Sequence, residues 1–196
     1  MNAPERFADE PASPFLTPEH LAFRDMLRRF VATEIEPFAT QWDEAGEFPR
    51  ELYLKAASIG LLQLGFPEEY GGVPCDRFMS MIAAQELARA GAGGVSASLK
   101  SHTIGAPPIV YGGSDELKAR VLPDILAGRK ISALAITEPG GGSDVASLRT
   151  TAKRDGGHYV VKGEKTFITS GMRADYTTVA VRTGGEGAGG VSLLLI

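Results

Sequence analysis

The 196-residue chain is short of several things, and each shortage narrows what it can do. It has one cysteine, Cys75, so no disulfide can close within it. That thiol follows the turn residues Gly71-Gly72-Val73-Pro74 and reads as an inert loop cysteine. Only three histidines occur, His20, His102 and His158, far apart and with no cysteine beside them, so no metal-ligand spacing arises. His20 falls in a first helical turn and His158 borders a turn; both are expected at the surface. His102, in Lys100-Ser101-His102-Thr103, is read either as an ordinary core or surface residue or as one lining a pocket. No apolar run reaches the roughly 18 residues a membrane-spanning helix needs. The first residues carry no signal-peptide core, and a cytoplasmic setting is expected. A basic surplus is also missing: 20 Lys and Arg stand against 24 Asp and Glu, a net charge of −4, which speaks against a nucleic-acid partner. There is no Gly-x-Ser-x-Gly elbow for hydrolysis and no internal repeat.

What is present is ordinary for a packed globular chain: 43% hydrophobic and 22% charged residues, enough apolar material for a core. Residues 1–15, rich in Pro, Ala and Glu, read as a flexible arm. Thr17-Pro18-Glu19 starts a helix with a hydroxyl cap, a proline at the first position and an acid at the positive end. Phe23, Leu27, Phe30 and Val31 give it one apolar side, and Pro37 ends or kinks it. Further helices are expected over 49–59, over 76–91 with Phe78, Met81 and Ile82 inward, and over 94–111 with Pro107 and Pro108 bending or interrupting it. A short one opens at Ser114 and buries Leu117, Val121 and Leu122. Near Ile131 the spacing changes to short β-type runs at 132–137, 150–154, 159–161, 166–169, 177–182 and 191–196, with Asp155-Gly156-Gly157 as a hairpin turn. Helices followed by strands indicate an α+β chain with segregated domains: a helical one over 16–130 and a β one over 131–196. The last run, Val191-Ser192-Leu193-Leu194-Leu195-Ile196, is apolar with nothing after it, so the β domain is expected to be cut short.

Two segments could carry chemistry. In Leu134-Ala135-Ile136-Thr137-Glu138-Pro139-Gly140-Gly141-Gly142-Ser143-Asp144 a strand runs into a proline-stiffened turn and three glycines. Glycines permit close approach by a ligand, freed N–H groups can converge on an anion, and Thr137 and Ser143 add hydroxyls. The alternative is a surface loop with no ligand. In Lys162-Gly163-Glu164-Lys165-Thr166-Phe167-Ile168-Thr169-Ser170-Gly171, Phe167 and Thr169 would share one strand face, an aromatic surface beside a hydroxyl; the alternative is a plain half-buried strand. Two look-alikes fail. Gly185-Glu186-Gly187-Ala188-Gly189-Gly190 has dinucleotide spacing, but a β-run rather than a helix follows it. Gly163-Glu164-Lys165-Thr166 has glutamate where a phosphate loop needs glycine before lysine.

Together, Thr137-Glu138-Pro139-Gly140-Gly141-Gly142-Ser143-Asp144 and the later Lys162-Gly163-x-Lys165-x-Phe167-Ile168-Thr169-Ser170-Gly171 resemble the acyl-CoA dehydrogenase family. Phe66-Pro67-Glu68-Glu69-Tyr70-Gly71-Gly72, Glu86-Leu87-Ala88 and the stretch from Gly113 to Pro123 add to it. The resemblance implies an all-helical N-terminal domain, a truncated β-barrel-like middle domain and an absent C-terminal helical bundle. It implies FAD as cofactor and α,β-dehydrogenation of an acyl-CoA thioester to the 2-enoyl-CoA, in fatty acid metabolism. By motif match, Leu134, Ala135, Ile136 and Thr137 lie along the flavin ring, Gly142 and Ser143 approach the pyrophosphate, and Phe167, Ile168 and Thr169 complete the cofactor contacts. Many relatives carry tryptophan at Phe167, so the indole donor is lost. Ser143, Lys100 and His102 are expected to touch the acyl-CoA. The family's base is a carboxylate of the C-terminal domain, so no catalytic residue is expected in this chain, and Glu138 is read as organising its loop. An electron-transfer flavoprotein is the implied electron acceptor, and a homodimer or homotetramer the implied assembly. A flavin oxidase or monooxygenase of the same fold, or a non-catalytic acyl-binding module, remain the alternatives.

Overall fold

The computed structural model describes residues 13–196. Most of the expected arm, residues 1–12, therefore lies outside the described residues. The chain gathers into two compact units, one ending at Leu99 and the other spanning Lys100–Ile196.

The first unit is helical: α1 (Pro18–Glu34), α2 (Ala39–Ala45), α3 (Glu51–Ser58), α4 (Arg77–Arg89) and α5 (Gly93–Leu99). Helix α1 packs on α4, burying Leu27, Phe30 and Val31 of one and Ile82, Ala83 and Leu87 of the other. Glu86 is buried on that seam, and Arg28 forks onto it at 3.1 and 2.9 Å, so its charge is paired. Both helices start on local chemistry. Thr17 Oγ1 accepts the His20 amide, and the Thr17 amide donates to His20 Nδ1. With Nδ1 accepting, Nε2 carries the proton and donates to Asp76 at 2.8 Å. Asp76 in turn accepts the Met79 amide and caps α4; that amide, with His20 adding to it, holds the Asp76 carboxyl below its ordinary range. His20, expected at the surface, is thus buried at 6% exposure as the link between two helix starts. Phe78 and Met81, expected inside, are exposed. The buried stripe of α4 begins at Ile82 instead, because small Ala83 and paired Glu86 sit on it. Helix α2 was not signalled by the periodicity.

In the second unit the expected helix over 94–111 proves interrupted. After α5 come α6 (His102–Gly105) and α7 (Pro107–Gly112), the latter opened by Pro107, whose missing N–H costs nothing there. Helix α8 (Asp115–Leu126) follows, capped by Ser114, and buries Val121, Leu122, Ile125 and Leu126. The strands are β1 (Ser132–Ala135), β2 (Thr151–Asp155), β3 (His158–Lys162), β4 (Tyr176–Arg182) and β5 (Val191–Leu195), in one five-stranded sheet. Strand β4 is its axis. It pairs with β1 in parallel from Ser132↔Tyr176 to Ala135↔Val179, with β2 at Thr151↔Arg182, and with β5 antiparallel along Thr178–Arg182. Strands β2 and β3 form a hairpin through Gly156-Gly157, Gly156 taking the left-handed φ of 58°. Helix α6 lies close on β1, and Thr178 Oγ1 of β4 donates to the Gly105 carbonyl at 2.8 Å. The helix-to-strand change falls near residue 131, but the helices from 102 to 126 belong to the same compact unit as the strands.

Candidate functional site

The site begins where β1 ends. Alternation along β1 turns Ala133 and Ala135 into the core, while Leu134 and Ile136 are half-buried on the other side. Ala135 packs with Ala152, Val179 and Val181, and Ile168 packs against that cluster. Of the expected ligand contacts, then, Ala135 has its methyl in the core, leaving only its backbone for a ligand, and Ile168 is a packing residue in part.

Past Thr137 the chain opens into a cleft of about 360 Å³, walled by Ile136, Thr137, Gly140–Gly142, Leu148, Thr150 and Glu164 among others. Of the expected site residues, Ile136, Thr137 and Gly142 line it. Leu134, Ala135, Ser143, Phe167, Ile168, Thr169, Lys100 and His102 do not. His102 is buried at 4% exposure in the first turn of α6; Ser143 is exposed on the glycine loop. A side-chain carbon at Gly140, Gly141 or Gly142 would meet no atom within 4 Å, so these glycines bound open space rather than permit a packed contact.

Under the cleft lies an ion pair. Glu138 and Lys165 are each 10% exposed and 2.9 Å apart. Lys165 Nζ also donates to the Ile136 carbonyl at 2.8 Å. Glu138 further accepts the Arg149 amide at 2.6 Å and the Thr150 amide at 2.8 Å. One carboxylate thus ties three stretches of chain at the cleft: its own loop, residues 149–150, and Lys165. Burial would raise the Glu138 pKa, but hydrogen bonds from Thr150, the Arg149 amide and Lys165 outweigh it and lower the pKa from 4.5 to about 2. A carboxylate with a folded pKa below its unfolded one stabilises the fold above its unfolded pKa. That stabilisation fades as pH falls from about 4.5 through about 2. Melting temperatures across this window should therefore fall more steeply for the parent chain than for Glu138→Gln; parallel curves would contradict the network.

A second clamp comes from Arg182, at the end of β4. Its Nε donates to the Leu148 carbonyl at 3.1 Å, Nη2 to Ala146, and Nη1 to Gly185 and Gly187. This accounts for the dinucleotide look-alike: its carbonyls are taken up by Arg182, and β5 follows. Neither Lys165 nor Arg182 was expected to matter. The available signal was slight: Arg182 is a lone charge after Val179-Ala180-Val181, while Lys165 sits in a charged run with Lys162 and Glu164.

The expected strand over 166–169 is absent. Phe167 and Ser170 adopt left-handed φ values of 56° and 62°, which no strand continues through. A turn replaces it, with the Gly171 amide bonded to Ile168 and the Arg173 amide to Ser170. Only the Thr166 amide joins the neighbouring backbone, at Thr137. Phe167 and Thr169 therefore do not share a strand face: Phe167 is 91% exposed while Thr169 is half-buried. A phenylalanine exposed on strained backbone, near fully exposed Met172, is an apolar surface without a protein partner among the described residues.

Comparison with known proteins identifies the frame. Residues 17–129 match the acyl-CoA dehydrogenase N-terminal domain, and residues 133–196 match the acyl-CoA dehydrogenase middle domain. A probable acyl-CoA dehydrogenase from Mycobacterium abscessus superposes with a TM-score of 0.88 at 52% identity, over 92% of this chain and 48% of that one. An acyl-CoA dehydrogenase from Bacillus anthracis, solved in complex with FAD, gives 0.81 at 32% identity, over 96% of this chain and 33% of that one. The acyl-CoA dehydrogenase apdG of Emericella nidulans is 37% identical over 94% of this chain and 46% of its own length. The chain thus spans about half the length of the curated relatives it matches. With both domains matched in order and the fold shared at up to 52% sequence identity, the chain belongs to the acyl-CoA dehydrogenase family.

Proposed function

We propose that the protein carrying this sequence binds FAD at the β1 exit and oxidises the Cα–Cβ bond of an acyl-CoA thioester to the 2-enoyl-CoA. One observation carries the reading: the open cleft at the end of β1, whose glycine run bounds empty space and whose floor is fixed by the Glu138–Lys165 pair. The residues fit a flavin. Leu134, Ile136 and the Ala135 backbone offer a flat edge, and Thr137 offers a hydroxyl for the polar rim of the ring. Gly142 and Ser143 offer amides for the pyrophosphate, and exposed Phe167, with Ile168 and Thr169, offers apolar cover. Ser143, Lys100 and His102 are assigned to the acyl-CoA. Bound flavin supplies an acceptor for the hydride that leaves the β-carbon.

This chain's own part is binding and orientation. Removing the weakly acidic α-proton needs a dry carboxylate of raised pKa. Glu138 has the opposite environment, its pKa near 2 and both oxygens occupied by donors. It is a positioning group, and the base comes from outside the described residues. In the whole protein, electrons pass on to an electron-transfer flavoprotein, and the subunits form a homodimer or homotetramer in the cytoplasm.

Anaerobic titration tests this. Full-length protein should purify with flavin that bleaches on adding acyl-CoA. The 196-residue chain alone should bind FAD weakly and bleach none of it. Bleaching by the short chain would refute the placement of the base, and a colourless full-length protein unable to take up FAD would refute the reading as a whole.

A further inference from the structure

Arg182 carries a full positive charge yet, among the described residues, has no carboxylate partner. Its guanidinium donates to backbone carbonyls alone: Ala146 and Leu148 on one loop, Gly185 and Gly187 on another. The Leu148 carbonyl and the Arg149 amide belong to the same peptide unit. Arg182 Nε donates to that carbonyl at 3.1 Å, and the amide at its other end donates to Glu138 at 2.6 Å. One peptide group is therefore held between a cation and an anion, with its dipole aligned to both. Glu138 continues the line to Lys165, which reaches the Ile136 carbonyl beside Thr137. Hydrogen bonds in such a chain polarise one another, so each strengthens the next.

We infer that Arg182 is a positioning residue for the cleft: it acts through the 148–149 peptide to hold Glu138, and through Glu138 the Thr137 end of the site. Arg182 does not line the cleft, but Leu148, Arg149 and Glu138 do. A guanidinium is suited to this because its fork reaches both loops at once, whereas an ammonium is a single point of charge. The inference rests on the flavin reading only for naming the occupant.

The test measures amide hydrogen exchange and FAD affinity in full-length Arg182→Met, Arg182→Lys, Glu138→Gln and the Arg182→Met/Glu138→Gln double variant. Exchange at the Arg149 and Thr150 amides should speed up about tenfold or more in Arg182→Met although Arg182 touches neither amide. The double variant should exchange no faster than the faster single variant. FAD affinity should fall in the same pattern, with effects that do not multiply, and added guanidinium should restore part of it in Arg182→Met. A merely structural arginine would lower the melting temperature without this coupling or rescue. Unchanged exchange at Arg149 in Arg182→Met, or multiplying effects in the double variant, would overturn the inference. If Arg182→Met does not fold, the comparison is made in Arg182→Lys, where unchanged exchange at Arg149 has the same meaning. If FAD does not bind at all, the exchange result still decides the role of Arg182 while the flavin reading fails separately.

Discussion

Replacing Lys165 with methionine should cost about 3 kcal/mol of unfolding free energy, the low end of the range for removing one partner of a buried ion pair. Lys165 and Glu138 are each 10% exposed and 2.9 Å apart. Methionine matches much of the lysine volume but takes away the cation facing the Glu138 carboxylate, leaving it the hydrogen bonds from Arg149 and Thr150. It also leaves the Ile136 carbonyl without the ammonium that it accepts from at 2.8 Å. The low end applies because Glu138 borders the open cleft, where water can solvate it partly. Adding Glu138→Gln to Lys165→Met should recover part of the loss, since removing both charges is cheaper than stranding one. Denaturant unfolding of the two single variants and the double variant reads this directly. A loss below about 1 kcal/mol for Lys165→Met would mean that water, not the pair, holds Glu138.

Gly105→Ala should cost about 1–3 kcal/mol, because it pushes α6 away from β1. A Cβ at Gly105 would lie 2.6 Å from Ser132 Oγ, 2.8 Å from the Ala133 carbonyl oxygen and 2.9 Å from its carbon. Two of those three atoms are backbone of the strand, so no side chain can swing aside to make room. The displaced turn would also strain the bond from Thr178 Oγ1 to the Gly105 carbonyl, which ties the turn to β4. A thermal melt within half a degree of the parent would show that the approach is looser than described.

The sequence made the local chemistry of the fold legible and left the distant chemistry hidden. Thr17, Asp76 and Ser114 announced helix starts because a cap needs only an oxygen and an amide two or three residues on. The Gly156-Gly157 hairpin was readable for the same reason. The inward face of α4 was not, since Phe78 and Met81 are as apolar as Ile82 and Leu87; the choice depends on α1 packing there and on Arg28 neutralising Glu86. Thr166-Phe167-Ile168-Thr169 has strand composition, but a strand needs a neighbour along its length, and only Thr166 has a backbone bond to one, at Thr137. At the site, the glycine run and Thr137 were evident from the motif. Arg182 was not, because its partners are carbonyls of residues of no particular type, up to 36 positions away.

The way the 144–150 wall is held has a bearing on how the site can diversify. Arg182 grips Ala146 and Leu148 by their carbonyls, and Glu138 grips Arg149 and Thr150 by their amides. Every one of these contacts is to main chain. Ser147 Oγ donates to Asp144 within the loop, but the side chains at Val145 and Arg149, both exposed on the cleft, take no part in fixing it through these bonds. Their identities can drift from one descendant to another while the path of the wall stays put. Position is inherited from two distant charged residues, and surface chemistry is left open to selection.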